Sequence, residues 1–327
     1  AGRYAEAESI LRDVLERRRR VSGARHPETV VVASNLAILL GDLGRLDEGE
    51  ELSREVLDAC LELYDEDHPK VANAMGNLGT FAFRRGRMQD AERMFRESLR
   101  IRLLRQSPDT PEVLQAKHNL AASIVDKKRV EESLQLRREV LEARTRVLGE
   151  DHVDTLAAMH QVAAALREAD RLDEAEALYR ETIARRRDVI GPDHPETLIS
   201  TENLAGVLFA KKDHAGSEAM TREVLAARRR VLGDDHPDVA KTMLNLAIVQ
   251  RGRGDTAGGI ANATEALARL AFTLHRLRKG HVQDPLLRMR SRVQLLRRRL
   301  RRTGKRNHLD PVPAGSAYRK LLSSRFH

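Results

Sequence analysis

An all-α right-handed solenoid of antiparallel helical hairpins is the fold class this sequence predicts, and three observations predict it. A block that opens on His-Pro, runs through Asn-Leu-Ala and ends in an Arg-rich stretch recurs every 42 residues without insertion or deletion. Within each block the apolar residues recur at spacings of three and four, the period of one face of a helix. The composition, with no Trp, 3% aromatic, 33% charged and 41% apolar residues, suits a helical array and argues against a β-rich fold. A fixed period of roughly 20–50 residues marks units that bury their apolar faces only against their neighbours.

The elements follow in order. Residues 1–23 read as the second helix of a truncated repeat, because Ala1–Glu8 aligns with later second helices and its partner helix is missing; the natural polypeptide is therefore expected to continue upstream. Residues 24–271 read as six hairpins of 42 residues. In the block at 68–105, His68-Pro69 opens the first helix (helix A), since proline has its φ preset and no N–H to satisfy at the first helical position. Val71, Met75, Leu78, Gly79 and Ala82 form its apolar stripe and Gly86 ends it. The second helix (helix B) starts near Met88 and buries Ala91, Met94, Phe95, Ser98, Leu99 and 101–103. Glu92 and Arg96, four apart with the acid first, recur as Glu8/Arg12, Glu50/Arg54, Glu176/Arg180 and Glu218/Arg222. The seventh helix B fades at Gly258-Gly259. Residues 272–303 then read as a basic amphipathic helix, a possible cap, with Asp284-Pro285 as its start and Leu286, Met289, Val293, Leu296 and Leu300 as its stripe. Residues 304–327 read as a flexible tail.

The strongest periodic polar signal is an amide on helix A. It reads Asn35, Asn77, Asn119, Gln161, Asn203 and Asn245, followed by Leu36, Leu78, Leu120, Val162, Leu204 and Leu246. Each amide sits one residue from a buried leucine or valine, hence at the edge of the packed stripe. A ladder of amides offers donors and acceptors matched to the backbone of an extended peptide; the competing reading is a bond to a carbonyl of the adjacent repeat, and both stay open here.

These residues resemble tetratricopeptide repeats, specifically the 42-residue variety of kinesin light chain, over about residues 1–271. Ala7, Ala91 and Ala175 match the family's small helix-crossing position, Gly44 and Gly86 its turn glycine, and Phe95 and Tyr179 its aromatic. The family's tryptophan of early helix A is replaced by Ala33, Met75, Lys117, Met159, Thr201 and Met243, and repeats three and four depart with Thr110-Pro111, His152-Val153 and Gln161. The resemblance implies that the Asn row faces a concave groove and clamps extended peptides. Phe83 and Phe209 would then meet apolar side chains and Arg84 and Arg167 acids, with His118 beside them.

Other chemistries are weaker. The net charge of +9 belongs to residues 272–327, which carry 16 Lys or Arg and two acids; the rest of the chain is net −5. Basicity is thus confined to the end, and its lack of aromatic interleaving disfavours nucleic acid as a partner. His26, His68, His152, His194 and His236 recur one per repeat, too far apart to share a metal, and read as helix starts, with Asp67, Asp151, Asp193 and Asp235 capping the turn. The runs Arg17–Arg20, Arg185–Arg187 and Arg228–Arg230 read as cations near helix ends, with a phosphate or acidic-peptide site as the lesser reading. No phosphate loop, nucleophile elbow or Cys/His cluster occurs, so neither a cofactor nor catalysis is expected. The one cysteine, Cys60, excludes an internal disulfide and suggests an inert thiol in the cytoplasm. No apolar run is long enough for membrane insertion and no signal peptide is visible. The sequence thus points to a non-enzymatic protein-interaction scaffold that binds an extended peptide or partner segment, as part of a larger signalling or assembly protein. Two alternatives remain: binding of nucleic acid or an anionic surface through the basic C-terminal helix, and regulation or oligomerisation of an upstream enzyme domain. Ligand, upstream domain and oligomeric state are left open.

Overall fold

A computed structural model describes residues 2–278, with side chains from Tyr4 to Arg269. These residues form two compact units that meet in sequence at Gly149 and Glu150. The first holds α1 (Gly2–Ser22), α2 (Pro27–Asp42), α3 (Leu46–Leu63), α4 (Pro69–Arg84), α5 (Met88–Arg105), α6 (Pro111–Ser123), a short 3-10 turn at Lys127–Arg129 and α7 (Val130–Leu148). The second holds α8 (Val153–Glu168), α9 (Leu172–Ile190), α10 (Pro195–Ala210), α11 (His214–Leu232), α12 (Pro237–Gly252) and α13 (Thr256–Arg278). Within each unit every helix packs on its predecessor and successor. The fold is an all-α repeat of the solenoid class, with α2, α4, α6, α8, α10 and α12 as the A helices. Of the 272–303 segment, residues to 278 belong to α13; the rest, with the 304–327 tail, lies outside the described residues.

Helix starts come from histidine rather than from the aspartates before it. His26, His68, His152, His194 and His236 are the N-caps, each Nδ1 accepting the N–H two residues on at 3.1–3.3 Å. The reason is positional: the histidine directly precedes the first helical residue, which is proline in four of the five, so the residue before the histidine lies one place too early. The aspartates instead meet helix-B arginines, as in Arg100–Asp67 at 2.6 Å and Arg185–Asp151 at 3.0 Å.

Helix ends follow the glycines. Gly149, Gly191 and Gly233 take φ of +89, +95 and +78 after α7, α9 and α11. Where Asp65 and Ser107 stand instead, α3 and α5 stop one residue earlier, at Leu63 and Arg105, on an extended Tyr64 or Gln106. The A-to-B turn shows the same logic. Gly44, Gly86 and Gly254 are left-handed there, but in two repeats the position is Asp170 (φ 61) and Lys212 (φ 66). At Lys128 the turn is rebuilt: α6 ends at Ser123 and the 3-10 turn follows. A left-handed non-glycine costs about 1–2 kcal/mol. Lys212→Gly is therefore expected to raise stability by about 0.5–1 kcal/mol after the chain-entropy cost of glycine, measured by urea unfolding; no gain would show that the Lys211–Lys212 turn carries no strain.

The core repeats too. Leu36, Leu78, Leu120, Val162, Leu204 and Leu246 are all buried, as are Ala37, Ala121, Ala163, Ala205 and Ala247. The seventh helix B does not fade at its glycines: Gly259 lies where an added Cβ would come within 2.8 Å of the Ala247 carbonyl, and Asp255 caps the helix by accepting the Gly258 N–H at 2.8 Å. In α5 the expected stripe holds at Ile101, which is fully buried, but Leu103 is exposed.

Where it is present, the recurring acid of helix B joins two repeats. Glu50 meets Arg54 of its own helix and Arg87 of the next turn, both at 2.6 Å. Glu92 meets Arg96 (2.9 Å) and Arg129 (2.7 Å), and Glu218 meets Arg222 (2.7 Å) and Arg253 (3.0 Å). Glu176 uses Arg180 and Lys211 in the same way. Hydrogen bonds from Arg129 hold the Glu92 carboxyl below the usual carboxylate range.

Candidate functional site

The amide row of helix A is tied to the repeat before it through a neighbour that periodicity alone did not single out. Asn77 donates from Nδ2 to Ser34 Oγ (3.3 Å), Asn203 Nδ2 lies 3.3 Å from His160 Nε2, and Asn245 donates from Nδ2 to Glu202 Oε1 (2.6 Å). All three partners occupy one position, the residue just before the previous repeat's amide. That row reads Ser34, Gly76, His118, His160, Glu202 and Leu244. Gly76 has no side chain to offer Asn119, whose Oδ1 accepts instead from Gln115 Nε2 at 2.8 Å. The bond to the adjacent repeat is thus real, but it is made to a side chain and not to a carbonyl. Asn35 is exposed, Asn77, Asn119, Gln161 and Asn245 are half-buried, and Asn203 is buried.

Behind this row a second one, on helix B, reaches inward. Arg18, Cys60, Arg102, Arg144, Arg186 and Arg228 share a position. Arg186 is 2% exposed and donates from Nη1 to the Glu196 carbonyl (2.6 Å) and to Ser200 Oγ (2.8 Å). Ser200 Oγ is in turn 2.9 Å from His160 Nδ1, so a chain of hydrogen bonds runs from Arg186 through Ser200 and His160 to Asn203. In the next repeat Arg228 donates to Thr242 Oγ1 (2.5 Å) and to Glu202 Oε2 (2.9 Å), and Lys241 Nζ lies 3.4 Å from the same carboxylate oxygen. Burial opposes charge on Glu202, but Lys241 and Arg228 outweigh it and hold the carboxyl below its usual range. Arg102 donates to Asn73 Oδ1 at 2.6 Å. Arg186 and Arg228, one residue in each of the runs 185–187 and 228–230, are therefore occupied inside the array. Their neighbours pair outward, Arg185 with Glu150 (2.8 Å) and Arg187 with Glu223 (2.5 Å), which leaves the phosphate-site reading without support.

The flanking side chains are less available than a free groove lining. Phe83 is half-buried against the cluster of Phe95 and Leu120, and the Phe209 ring lies 5.0 Å from that of His214. Arg84 is half-buried with Nη2 3.5 Å from Asp42, and Arg167 is half-buried. His118 is held neutral: burial first, then the cations of Arg137 and Arg144, push its imidazole down to about 4. The unfolded chain takes up this proton near pH 6.5 and the folded chain only near 4, so the contribution to stability is complete above 6.5 and lost as pH falls from 6.5 to 4. The His118 ring resonance is expected to titrate near pH 4 by NMR; a midpoint near the ordinary histidine value would refute this environment.

Cys60 is buried, and burial pushes its thiol up, which makes it unreactive. Among the described residues no three His, Cys, Asp or Glu side chains gather as a metal site, and no helix is long and apolar enough to cross a membrane.

The tetratricopeptide repeat profile matches residues 1–46, 31–103, 112–188, 161–215 and 196–271. Among solved structures, the chain is similar to the nearly identical repeats of a kinesin light chain-like protein of Podosopora anserina, at 22% identity over 63% of this chain and 97% of that one, with a TM-score of 0.57. It is also similar to the Rap protein complexed with competence and sporulation factor, at 9% identity over 90% of this chain and 87% of that one, with a TM-score of 0.53. At such identities the likeness concerns the fold alone. No curated protein matches the sequence significantly.

Proposed function

Because the chain belongs to the tetratricopeptide repeat family, whose arrays serve as protein-interaction scaffolds, we propose that it binds an extended peptide or partner segment along the A-helix face, as a non-enzymatic part of a larger signalling or assembly protein. The observation that carries the reading is how the ladder is held. Asn77 and Asn245 each spend an Nδ2 hydrogen on the preceding repeat, which fixes the amide plane and leaves the Oδ1 acceptor for a ligand's N–H. A side chain oriented before binding loses less entropy on binding. The ladder is taken as two stretches, Asn35, Asn77 and Asn119 in one unit and Gln161, Asn203 and Asn245 in the other. A cytoplasmic setting is part of the proposal, supported by the single buried thiol of Cys60.

The test is selection of a random-peptide library on the full chain, in parallel with an Asn77→Ala/Asn119→Ala/Asn203→Ala variant whose melting is checked by circular dichroism. A common motif is expected to enrich on the parent and to bind the folded variant at least about ten-fold more weakly, the loss of roughly 1.4 kcal/mol expected from a few hydrogen bonds. Equal binding by the variant, or enrichment that follows only acidic charge and vanishes with salt, would sink the proposal and turn attention to residues 284–302.

A further inference from the structure

A carboxylate inside the second unit shows what the amide row can hold. Glu202, at the position before the amide, collects Arg228 at 2.9 Å, Asn245 at 2.6 Å and Lys241 at 3.4 Å. Three repeats earlier, in the first unit, the same positions read Gly76 for the acid and Arg102, Asn119 and Gln115 for its donors. The donors are present there and the acid is not. A glycine inside a helix weakens it relative to alanine, and neither a positive φ nor a close approach asks for one at position 76. Outside its own helix, only Ser98 Oγ comes within 4 Å of a Cβ built on Gly76, at 3.5 Å, an ordinary contact.

The donors around Gly76 are uncommitted. Arg102 is half-buried, and of the five N–H bonds of its guanidinium only one, on Nη2, has an acceptor among the described residues, Asn73 Oδ1 at 2.6 Å. Asn73 stands one turn before Gly76 on α4, so this bond brings the guanidinium to the turn beside the glycine. Its Nε is shielded from water and has no partner. Burial lowers the Arg102 guanidinium below its usual value, and the charge of Glu112 opposes this. Asn119 accepts at Oδ1 from Gln115 Nε2 at 2.8 Å, which leaves its Nδ2 hydrogens to give, the reverse of Asn77 and Asn245. Gly76 and Asn119 are half-buried and Asn73 and Gln115 exposed, so the place is open to solvent.

On the peptide-binding reading of the A-helix face, we propose that Gly76 opens a carboxylate subsite in the first unit. An acidic group of the bound peptide takes there the place that Glu202 fills in the second, paired with Arg102 and hydrogen-bonded by Asn119 and Gln115. The copy of this site in the second unit is closed by its own glutamate.

Gly76→Glu supplies the carboxylate from within the chain. In urea unfolding of the full chain at neutral pH it is expected to raise the folded-to-unfolded ratio at least about ten-fold over Gly76→Gln, which has the same size, and the gap is expected to close when Arg102→Gln is added to both. No gap, or one that survives Arg102→Gln, overturns the proposal. The free probe is propionate, with propionamide as its uncharged analogue at matched ionic strength. The Arg102 Nε–Hε resonance, identified by its loss in Arg102→Gln, is expected to shift and saturate with propionate, to stay put with propionamide, and to ignore propionate in Gly76→Glu. A shift that does not saturate, or is equal for the two probes, also overturns it. Peptides selected on the parent then give the source of the carboxylate. Neutralising an internal Asp or Glu, or amidating the C-terminus, is expected to weaken binding about ten-fold in one arm, and Gly76→Glu to weaken it as much. Peptides that bind equally through all three changes overturn the subsite and leave the peptide reading intact. Propionate that saturates when no peptide enriches supports the subsite and removes the peptide reading.

Discussion

Glu202→Ala is expected to destabilise the second unit by about 3–5 kcal/mol, because it strands a buried cation. Glu202 is 9% exposed and Arg228 4%, and the carboxylate collects Arg228 and Asn245 at 2.9 and 2.6 Å with Lys241 at 3.4 Å. Removing it leaves a guanidinium whose remaining partner is the Thr242 hydroxyl. The pair itself need not be worth that much, since desolvation offsets much of the attraction between buried charges. Glu202→Leu combined with Arg228→Leu is therefore expected to lie well above the single variant in urea unfolding. A double variant as unstable as Glu202→Ala would show that shape, not stranded charge, sets the cost. The sign with pH follows from the lowered carboxyl value: the contribution is present at neutral pH and lost as pH falls below the ordinary glutamate value of 4.5 toward the lower folded one. Glu202 also orients Asn245, so Glu202→Gln, which keeps the volume and one acceptor, is the variant in which binding and stability separate.

Most of the fold was legible because its contacts recur with the sequence period. One buried leucine or valine per repeat appears at a fixed offset with a small residue beside it, and a histidine start appears in five of the six repeats, where its ring caps the helix in the same way. What escaped had two causes. Histidine and aspartate both suit a helix start, and the proline that decides between them was visible but not applied to the cap. The inward arginines were hidden inside runs such as Arg185–Arg187, where composition suggests a solvated cluster and only one residue in the helical turn points inward. Their period of 42 from Arg102 through Arg144 and Arg186 to Arg228 was a sufficient signal. The row before the Asn ladder was harder to find, because Ser34, Gly76, His118, His160, Glu202 and Leu244 share a position without sharing chemistry. A row that varies while its neighbour stays constant is where repeats of one fold come to differ in what they hold.

Ala175→Leu is expected to cost about 3 kcal/mol, the upper end for overpacking, because Ala175 is fully buried at a position where other repeats face a backbone carbonyl, which cannot rotate away. Ala175 is fully buried, and its row reads Ala7, Gly49, Ala91, Ser133, Ala175, Ser217 and Gly259. At Gly49, Ser133, Ser217 and Gly259 the facing carbonyl comes from helix A twelve residues earlier. A Cβ on Gly49 would lie 3.0 Å from the Ala37 oxygen, and Ser133 and Ser217 donate to the Ala121 and Ala205 oxygens, each at 2.8 Å. The position therefore admits a side chain of one heavy atom beyond the backbone, or a hydroxyl that bonds the carbonyl. Ala175→Ser is expected to fall within about 1 kcal/mol of the parent and Ala175→Val between the serine and leucine variants. Thermal or urea unfolding of the three variants gives the order directly; a leucine variant as stable as the serine one would mean that the two helices of this hairpin can separate, and the small-residue row would then have to be explained by something other than contact. Because α9 supports α8 from the side opposite the amide row, any loss of peptide binding in the leucine variant should follow the fraction unfolded and disappear when binding is compared at equal folded population.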